Sequence, residues 1–181
     1  MRKIIISTQV SMDSVIDNPQ DWVFDYVNDE FFNYARDQLF DCDALIMGRV
    51  TYEAFAEAWS ARAGADEFVD RMNSLPKYVA SRTLKEPLTW NASLIKGDIA
   101  KKVAKLKAQK GRNILQFGSG ELTRTLLQHG LIDEFRLMVF PVAVGTGQRT
   151  FENIPQTPMK LLETKTFNTG VMILHYQPVK T

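Results

Sequence analysis

The sequence has a single cysteine, Cys42, and two histidines, His129 and His175, in 181 residues. A lone thiol excludes an internal disulfide and any thiolate-rich zinc site. Neither histidine has a His, Cys or carboxylate cluster beside it that would suggest a metal. Cys42 lies between Asp41 and Asp43 and has no electropositive neighbour to activate a thiolate. No apolar run approaches the ~20 residues of a membrane span, and no signal-peptide pattern opens the sequence. The expected setting is the cytosol, and the expected organisation is one domain over residues 1–181. The Gly-x-Gly-x-x-Gly fingerprint is also missing, which removes support for a Rossmann-type dinucleotide site.

A large excess of one charge is lacking too, since the formal net charge is +1. The two signs are nevertheless unevenly spread. Residues 1–75 carry 14 acidic and 6 basic side chains, and residues 76–181 carry 7 acidic and 16 basic ones. Lys96–Arg112 holds seven Lys/Arg against Asp98 alone, and reads as a helix with Ile99, Val103 and Leu106 inward and its lysines outward. Base-stacking aromatics and a reading helix are absent beside those lysines, so nucleic-acid binding is not expected.

What is present is an alternation of strands and helices. Ile4–Val10 is β-branched and reads as a strand, followed by a long polar loop over residues 11–28 with Asn18-Pro19 and an isolated Trp22. From Asp29, taken as N-cap, Phe32, Ala35 and Leu39 fall at helical spacing to about Asp41. Ala44–Met47 is a buried strand that reaches Gly48-Arg49-Val50-Thr51, where the spacing turns helical to about Ala61. A short helix is expected around Asp66–Asn73, a strand at Lys77–Ala80 and a brief strand at Thr89-Trp90. Asn113–Phe117 reads as a strand leading through Gly118-Ser119-Gly120 into a helix that stops at Gly130. Phe135–Phe140 is a further strand, and residues 160–176 form a hairpin turning at Asn168-Thr169-Gly170. This order predicts an α/β fold with a mostly parallel sheet, helices on both faces and an antiparallel C-terminal hairpin.

Three strand ends carry similar chemistry: Gly48-Arg49-x-Thr51, Ser81-Arg82-Thr83 and Gly118-Ser119-Gly120. Ligands in open α/β sheets sit at the carboxyl ends of parallel strands, and helix N-termini there favour anions. The three ends could line one groove, with Arg49 and Arg82 as charged clamps and Thr51, Ser81 and Ser119 as hydroxyl donors. The glycines would let the backbone approach a pyrophosphate closely.

These residues carry a resemblance over nearly the whole chain. Ile46–Glu53 resembles the cofactor-arginine motif of dihydrofolate reductases, Val79–Arg82 their adenosine-phosphate turn, and Phe117–Gly120 their glycine turn under the cofactor pyrophosphate. Val10–Asp17 resembles the loop that closes on the nicotinamide. Leu131–Glu134, the strand to Phe140-Pro141, and Gly145-Thr146-Gly147 most resemble the C-terminal reductase domain of the bifunctional riboflavin-biosynthesis protein. The resemblance implies a dihydrofolate-reductase-like three-layer fold, NADPH as cofactor and hydride transfer to a small heterocycle. It places Gly48, Arg49 and Thr51 at the phosphates, and Ser81 and Arg82 at the 2′-phosphate and adenine end. Gly118, Ser119, Gly120, Glu121 and Leu122 would lie along the pyrophosphate, and Gln9 and Ile16 would touch the nicotinamide. Arginine and hydroxyls around a 2′-phosphate favour NADPH over NADH.

On the substrate side the resemblance implies Trp22 and Met138 as bordering residues and Glu30, with Asp29 beside it, as the counterpart of the proton-assisting acid. Against folate, Leu75 stands where those enzymes carry an arginine for the glutamate carboxylate, and Met138 replaces a pterin-site threonine. Against the riboflavin type, the Gly-x-x-Thr-x-x-x-Asp-Asp-Pro continuation is replaced by Phe55-Ala56-Glu57-Ala58-Trp59, and Ser14 replaces a glycine. The zinc deaminase motifs His-x-Glu and Cys-x-x-Cys are absent from the sequence. The expected partners are a small-molecule substrate and, by resemblance, a second copy of the chain through the C-terminal hairpin; no membrane or nucleic acid is expected. Three functions stay open: a reductase with 5-amino-6-(5-phosphoribosylamino)uracil or dihydrofolate as substrate, a non-catalytic NADPH-binding module, and a partner-binding protein acting through the lysine-rich helix.

Overall fold

Ile4, Ile5 and Ile6 are fully buried, so both faces of the first strand are covered. The computed structural model describes residues 1–179 and builds everything outward from that strand. β1 (Ile4–Ser11) is flanked by β5 (Asn113–Phe117) and β6 (Glu134–Phe140), both parallel to it. Beyond β5 lie β2 (Cys42–Gly48), β3 (Lys77–Ala80) and β4 (Ala92–Ile95), again parallel. Beyond β6, β8 (Met172–Pro178) and β7 (Met159–Thr166) are antiparallel, giving the order β4-β3-β2-β5-β1-β6-β8-β7. The expected mostly parallel sheet with an antiparallel C-terminal hairpin is the observed one.

Helices cover both faces. α1 (Asp29–Phe40), α2 (Arg49–Ser60) and α3 (Glu67–Ser74) send Leu39, Tyr52 and Met72 onto Ile5, Leu45, Met47 and Leu115. On the opposite face, α4 (Ile99–Ala108) and α5 (Glu121–Gln128) pack Val103, Leu106, Leu122 and Leu126 against Ile4, Ile6, Ala44, Ile46 and Ile114. This makes three layers, and alternate residues of each strand serve opposite cores. No helix among the described residues is long and apolar enough to cross a membrane.

Four local expectations change. The N-cap of α1 is Asn28, whose extended backbone and side-chain oxygen serve the N–H of Phe31 at 3.1 Å; Asp29 is the first helical residue. Thr89-Trp90 is not a strand, because Trp90 and Asn91 have φ of 57° and 51°, and the pairing with β3 begins at Ala92. The 11–28 loop contains two short 3₁₀ turns, Pro19–Asp21 and Phe24–Tyr26. Lys107 does not point outward with the other lysines of α4: it is buried, donates to the carbonyl of Leu131 at 2.9 Å and pairs with Asp133.

A second lysine is buried more deeply. Lys77 opens β3 with no exposed surface; its Nζ donates to the Asn73 carbonyl at 2.6 Å and stands 4.2 Å from the centre of the Trp90 ring. Burial lowers its pKa from 10.5 to about 8. Between those two values the unfolded chain holds a proton that the folded chain has released, so this group's contribution to stability rises with pH. Below the folded value its desolvation cost is fully present. We therefore expect wild type to gain stability relative to Lys77→Met as pH rises from 8 to 10.5. Thermal melts of both proteins across that range check this, and parallel pH curves would refute it.

Candidate functional site

The cleft begins where β1 and β5 part. Their pairing ends at Ser7 and Phe117, with the N–H of Gly118 donating to the Ser7 carbonyl at 2.8 Å. From there β5 turns off toward α5 on one face, while β1 runs on beside β6 to Ser11 before the chain crosses to α1 on the other. Adjacent strands whose connections depart to opposite faces open a crevice between their carboxyl ends. The crevice widens into a cleft of about 1520 Å³, larger than the ~300–1,000 Å³ of a single-ligand pocket. It has room for two ligands side by side.

One half is built from strand ends and helix starts. All three predicted turns meet here: Gly48, Arg49 and Thr51 from β2–α2, Ser81 and Arg82 after β3, and Gly118, Ser119, Gly120, Glu121 and Leu122 from β5–α5. Gln9 on β1 and Ile16 on the following loop line the same cleft. A Cβ added to Gly48, Gly118 or Gly120 would meet no atom within 4 Å, so these glycines face open space. Only Gly118 also needs its glycine for conformation, with φ of +75°. The N-cap residues of α2 and α5 are glycines without a side-chain oxygen, which leaves helix-start N–H groups for a ligand.

Both arginines are held by carboxylates. Arg49 pairs with Glu53 at 2.7 Å and Arg82 with Glu121 at 2.9 Å, all four side chains being substantially exposed. Ser81 Oγ accepts the N–H groups of Thr83 at 3.1 Å and Leu84 at 3.0 Å, and lies 3.4 Å from Thr83 Oγ1, where either hydroxyl can donate. A fourth strand end, Gly97-Asp98 before α4, also lines the cleft with Ile99 and Ala100. Sequence reasoning passed over it, although Ile95, Gly97 and the N-cap Asp98 repeat the strand–glycine–helix pattern of the other turns.

The loop after β1 is latched to a distant one. Asp13 accepts from Ser11 Oγ at 2.6 Å and from the N–H groups of Val144 at 3.0 Å and Gly145 at 2.7 Å, and these bonds hold its carboxyl well below the usual range. Asp17 accepts from the Gln148 N–H at 2.7 Å, and Val15 bridges Arg149. Gly147 has φ of +130°, and a Cβ there would come within 2.8 Å of Val15, so the latch needs glycine at that place.

The other half of the cleft is aromatic. α1 contributes Phe31, Phe32, Ala35 and Gln38, α2 Phe55 and Trp59, the turn after α2 Arg62, and the α3 region Asp66, Phe68, Val69 and Met72. Met138 on β6 also lines the cleft. Trp22 and Glu30 do not line the cleft. Trp22 lies edge-on to Phe140, with ring centres 5.6 Å apart, and donates to the Asp17 carbonyl at 3.0 Å. The Glu30 carboxylate accepts the N–H of Asn168 in the β7–β8 turn at 2.8 Å. The sequence reading missed Gln38 and Ser7 in this lining, and Thr8 on the opposite face of β1; the signal was a polar residue at 38 continuing the 31, 35 helical spacing.

His175 lies away from the cleft lining, 2.8 Å from the Tyr34 hydroxyl and against Glu134 and Glu163. Burial, with Arg136 nearby, lowers its pKa. Burial likewise pushes the Cys42 thiol up to about 12, which removes it as a nucleophile.

The three layers, the switch between β1 and β5 and the glycine-led cleft define an α/β protein of the dihydrofolate-reductase-like fold. Within that class the profile of the RibD C-terminal domain matches residues 2–173, and the chain belongs to that family. Protein YyaP of Bacillus subtilis (strain 168) is 31% identical over 179 residues, which is 97% of this chain and 94% of YyaP. A Shewanella sp. PV-4 structure named for riboflavin biosynthesis superposes with a TM-score of 0.79 at 22% identity, covering 98% of this chain and 99% of that one. The Thermotoga maritima diaminohydroxyphosphoribosylaminopyrimidine deaminase/5-amino-6-(5-phosphoribosylamino)uracil reductase gives 0.69 at 12% identity, over 98% of this chain and 57% of its own. Both structures share the fold.

The position of Glu30 generates a test. A carboxylate engaged by the Asn168 N–H fits a role in seating the hairpin turn. Glu30→Gln should then leave steady-state turnover within about twofold, whereas loss of a general acid costs ~10²–10⁴-fold. A fall of the larger size would return Glu30 to the reaction.

Proposed function

We propose that this chain is an NADPH-dependent reductase of a small heterocycle. The observation that supports it most is the run of open space in front of Gly48, Gly118 and Gly120, with Arg49 and Arg82 among the cleft residues. In this reading the α2 and α5 starts take the pyrophosphate on backbone N–H groups. Arg82, Ser81 and Thr83 take the 2′-phosphate, Arg82 exchanging Glu121 for the ligand. Gln9 and Ile16 border the nicotinamide, which when bound supplies the hydride. The latched loop of Asp13 and Asp17 holds Ile16 in position and excludes water from one side.

The substrate occupies the aromatic half, beside Met138. The first compound to test is 5-amino-6-(5-phosphoribosylamino)uracil, named for the Thermotoga protein; dihydrofolate is the second. A non-catalytic NADPH-binding module is the competing reading, favoured by Glu30 standing outside the cleft. We also propose a homodimer, because β7 is a sheet edge with Leu161 and Leu162 about half exposed. Light scattering should give twice the chain mass, and a monomer would end that proposal.

Trp59 lines the cleft and reports binding through its fluorescence. NADPH should give a saturable change, and consumption of NADPH with a heterocycle present separates the enzyme from the module. No saturable response to NADPH would remove both. Arg82→Ala should weaken NADPH by about tenfold or more, the worth of one charge-assisted hydrogen bond, and NADH by less than about twofold. Equal weakening of the two would refute the 2′-phosphate assignment.

A further inference from the structure

We infer that the side-chain amide of Gln38 reads the substrate, pairing with an uncharged lactam edge, –NH–C(=O)–, of a heterocyclic ring. This rests on the aromatic half of the cleft being the substrate site of the proposed reductase. Gln38 is 3% exposed, and neither Oε1 nor Nε2 has a hydrogen-bond partner among the described residues. Buried amides are normally paired, because an unpaired one loses its hydration and gains nothing. On the same side of the sheet Ser7 Oγ, on a residue 1% exposed, is likewise without a partner, while Thr8 Oγ1 and Gln116 Oε1, also unpartnered in the cleft, belong to the opposite strand face.

The placement of Gln38 is set by its helix. Phe31, Ala35 and Gln38 follow one another at spacings of four and three residues, so they form one stripe of α1, and all three line the cleft. On β1, Ser7 shares the face of Ile5, which packs with Leu39 of α1 in one core. Both orphans therefore belong to the α1 side of the sheet, in the same half of the cleft.

The surroundings narrow the partner. Phe31, Phe55, Trp59, Phe68, Met72 and Met138 form neutral walls suited to a flat ring. Arg62 is the cation on this side, and its guanidinium stands 5.2 Å from the Trp59 ring centre. An amide presents one donor beside one acceptor, and either flip of the amide keeps that pair. A lactam edge offers the matching acceptor and donor. An alkyl edge would leave both atoms of Gln38 unpaired, and an anion could accept from Nε2 but would leave Oε1 without a donor.

The test uses 6-aminouracil and 6-amino-1,3-dimethyluracil, whose methyl groups remove both ring N–H donors. Each is titrated calorimetrically into the full chain, with and without NADP⁺, in wild type and Gln38→Leu. Wild type should prefer 6-aminouracil by about tenfold. Gln38→Leu should lose that preference while its affinity for NADPH is unchanged. It should also melt at a higher temperature, because leucine removes an unpaired amide from a buried position. A wild type that binds both probes equally or neither, a variant that keeps the preference, or a variant that melts lower would overturn the inference. Absence of NADPH binding would instead strike the reductase reading, because the uracil preference is measured without cofactor as well.

Discussion

The structure depends on β1 being paired with a parallel strand on each side. Ile4, Ile5 and Ile6 are excluded from water by that double pairing and by helices above and below. Parallel pairing also gives the strand ends a common direction. β1, β2, β3, β4 and β5 all deliver their carboxyl ends to one edge, where three helices start. A ligand-sized cleft appears there because β1 and β5 stop pairing after Ser7 and Phe117 and the connections that follow them lead to helices on opposite faces. Moving Ser7 by one residue would turn it to the other core and remove it from the α1 side.

Electrostatics follow from the same geometry. Helix starts led by Gly48 and Gly120 offer N–H groups without a capping side chain, so the cleft carries partial positive charge before any arginine is counted. Elsewhere the fold satisfies helix starts locally: Asn28, Asp66 and Asp98 each accept an N–H at the beginning of α1, α3 and α4. The contrast sets α2 and α5 apart as helices whose N-cap residue has no side chain to accept a first-turn N–H, although at α5 the Gly120 N–H itself donates to Thr123 Oγ1 at 3.4 Å.

The fold was legible because its signals are periodic and local. Buried strands such as Ala44–Met47 and Asn113–Phe117 stand out as apolar runs, and each glycine turn after them marks a helix start. The half of the cleft built from strand ends was legible for the same reason, since strand–glycine–helix is a pattern along the chain. The other half was not. Gln38, Phe55, Trp59 and Phe68 lie on three helices, and nothing in their sequence spacing says that those helices face one cleft. Glu30 and Trp22 looked suitable by analogy, yet Glu30 is taken up by the Asn168 N–H and Trp22 by Phe140. Lys107 and Trp90 were misread because burial against Asp133 and a left-handed backbone are tertiary facts that a local pattern does not carry.

The pairing of Arg82 with Glu121 has a consequence for how the cleft would treat ligands of different charge. The side chains are 87% and 77% exposed, so the ion pair is a weak one in water and parting it costs little. Glu121 acts as a resident competitor with a single negative charge. A ligand phosphate would displace that monoanion at small cost, whereas a neutral hydroxyl would gain little by doing so. Charge would thus enter the choice of ligand at Arg82 as a modest bias, with a carboxylate of the protein itself as the reference.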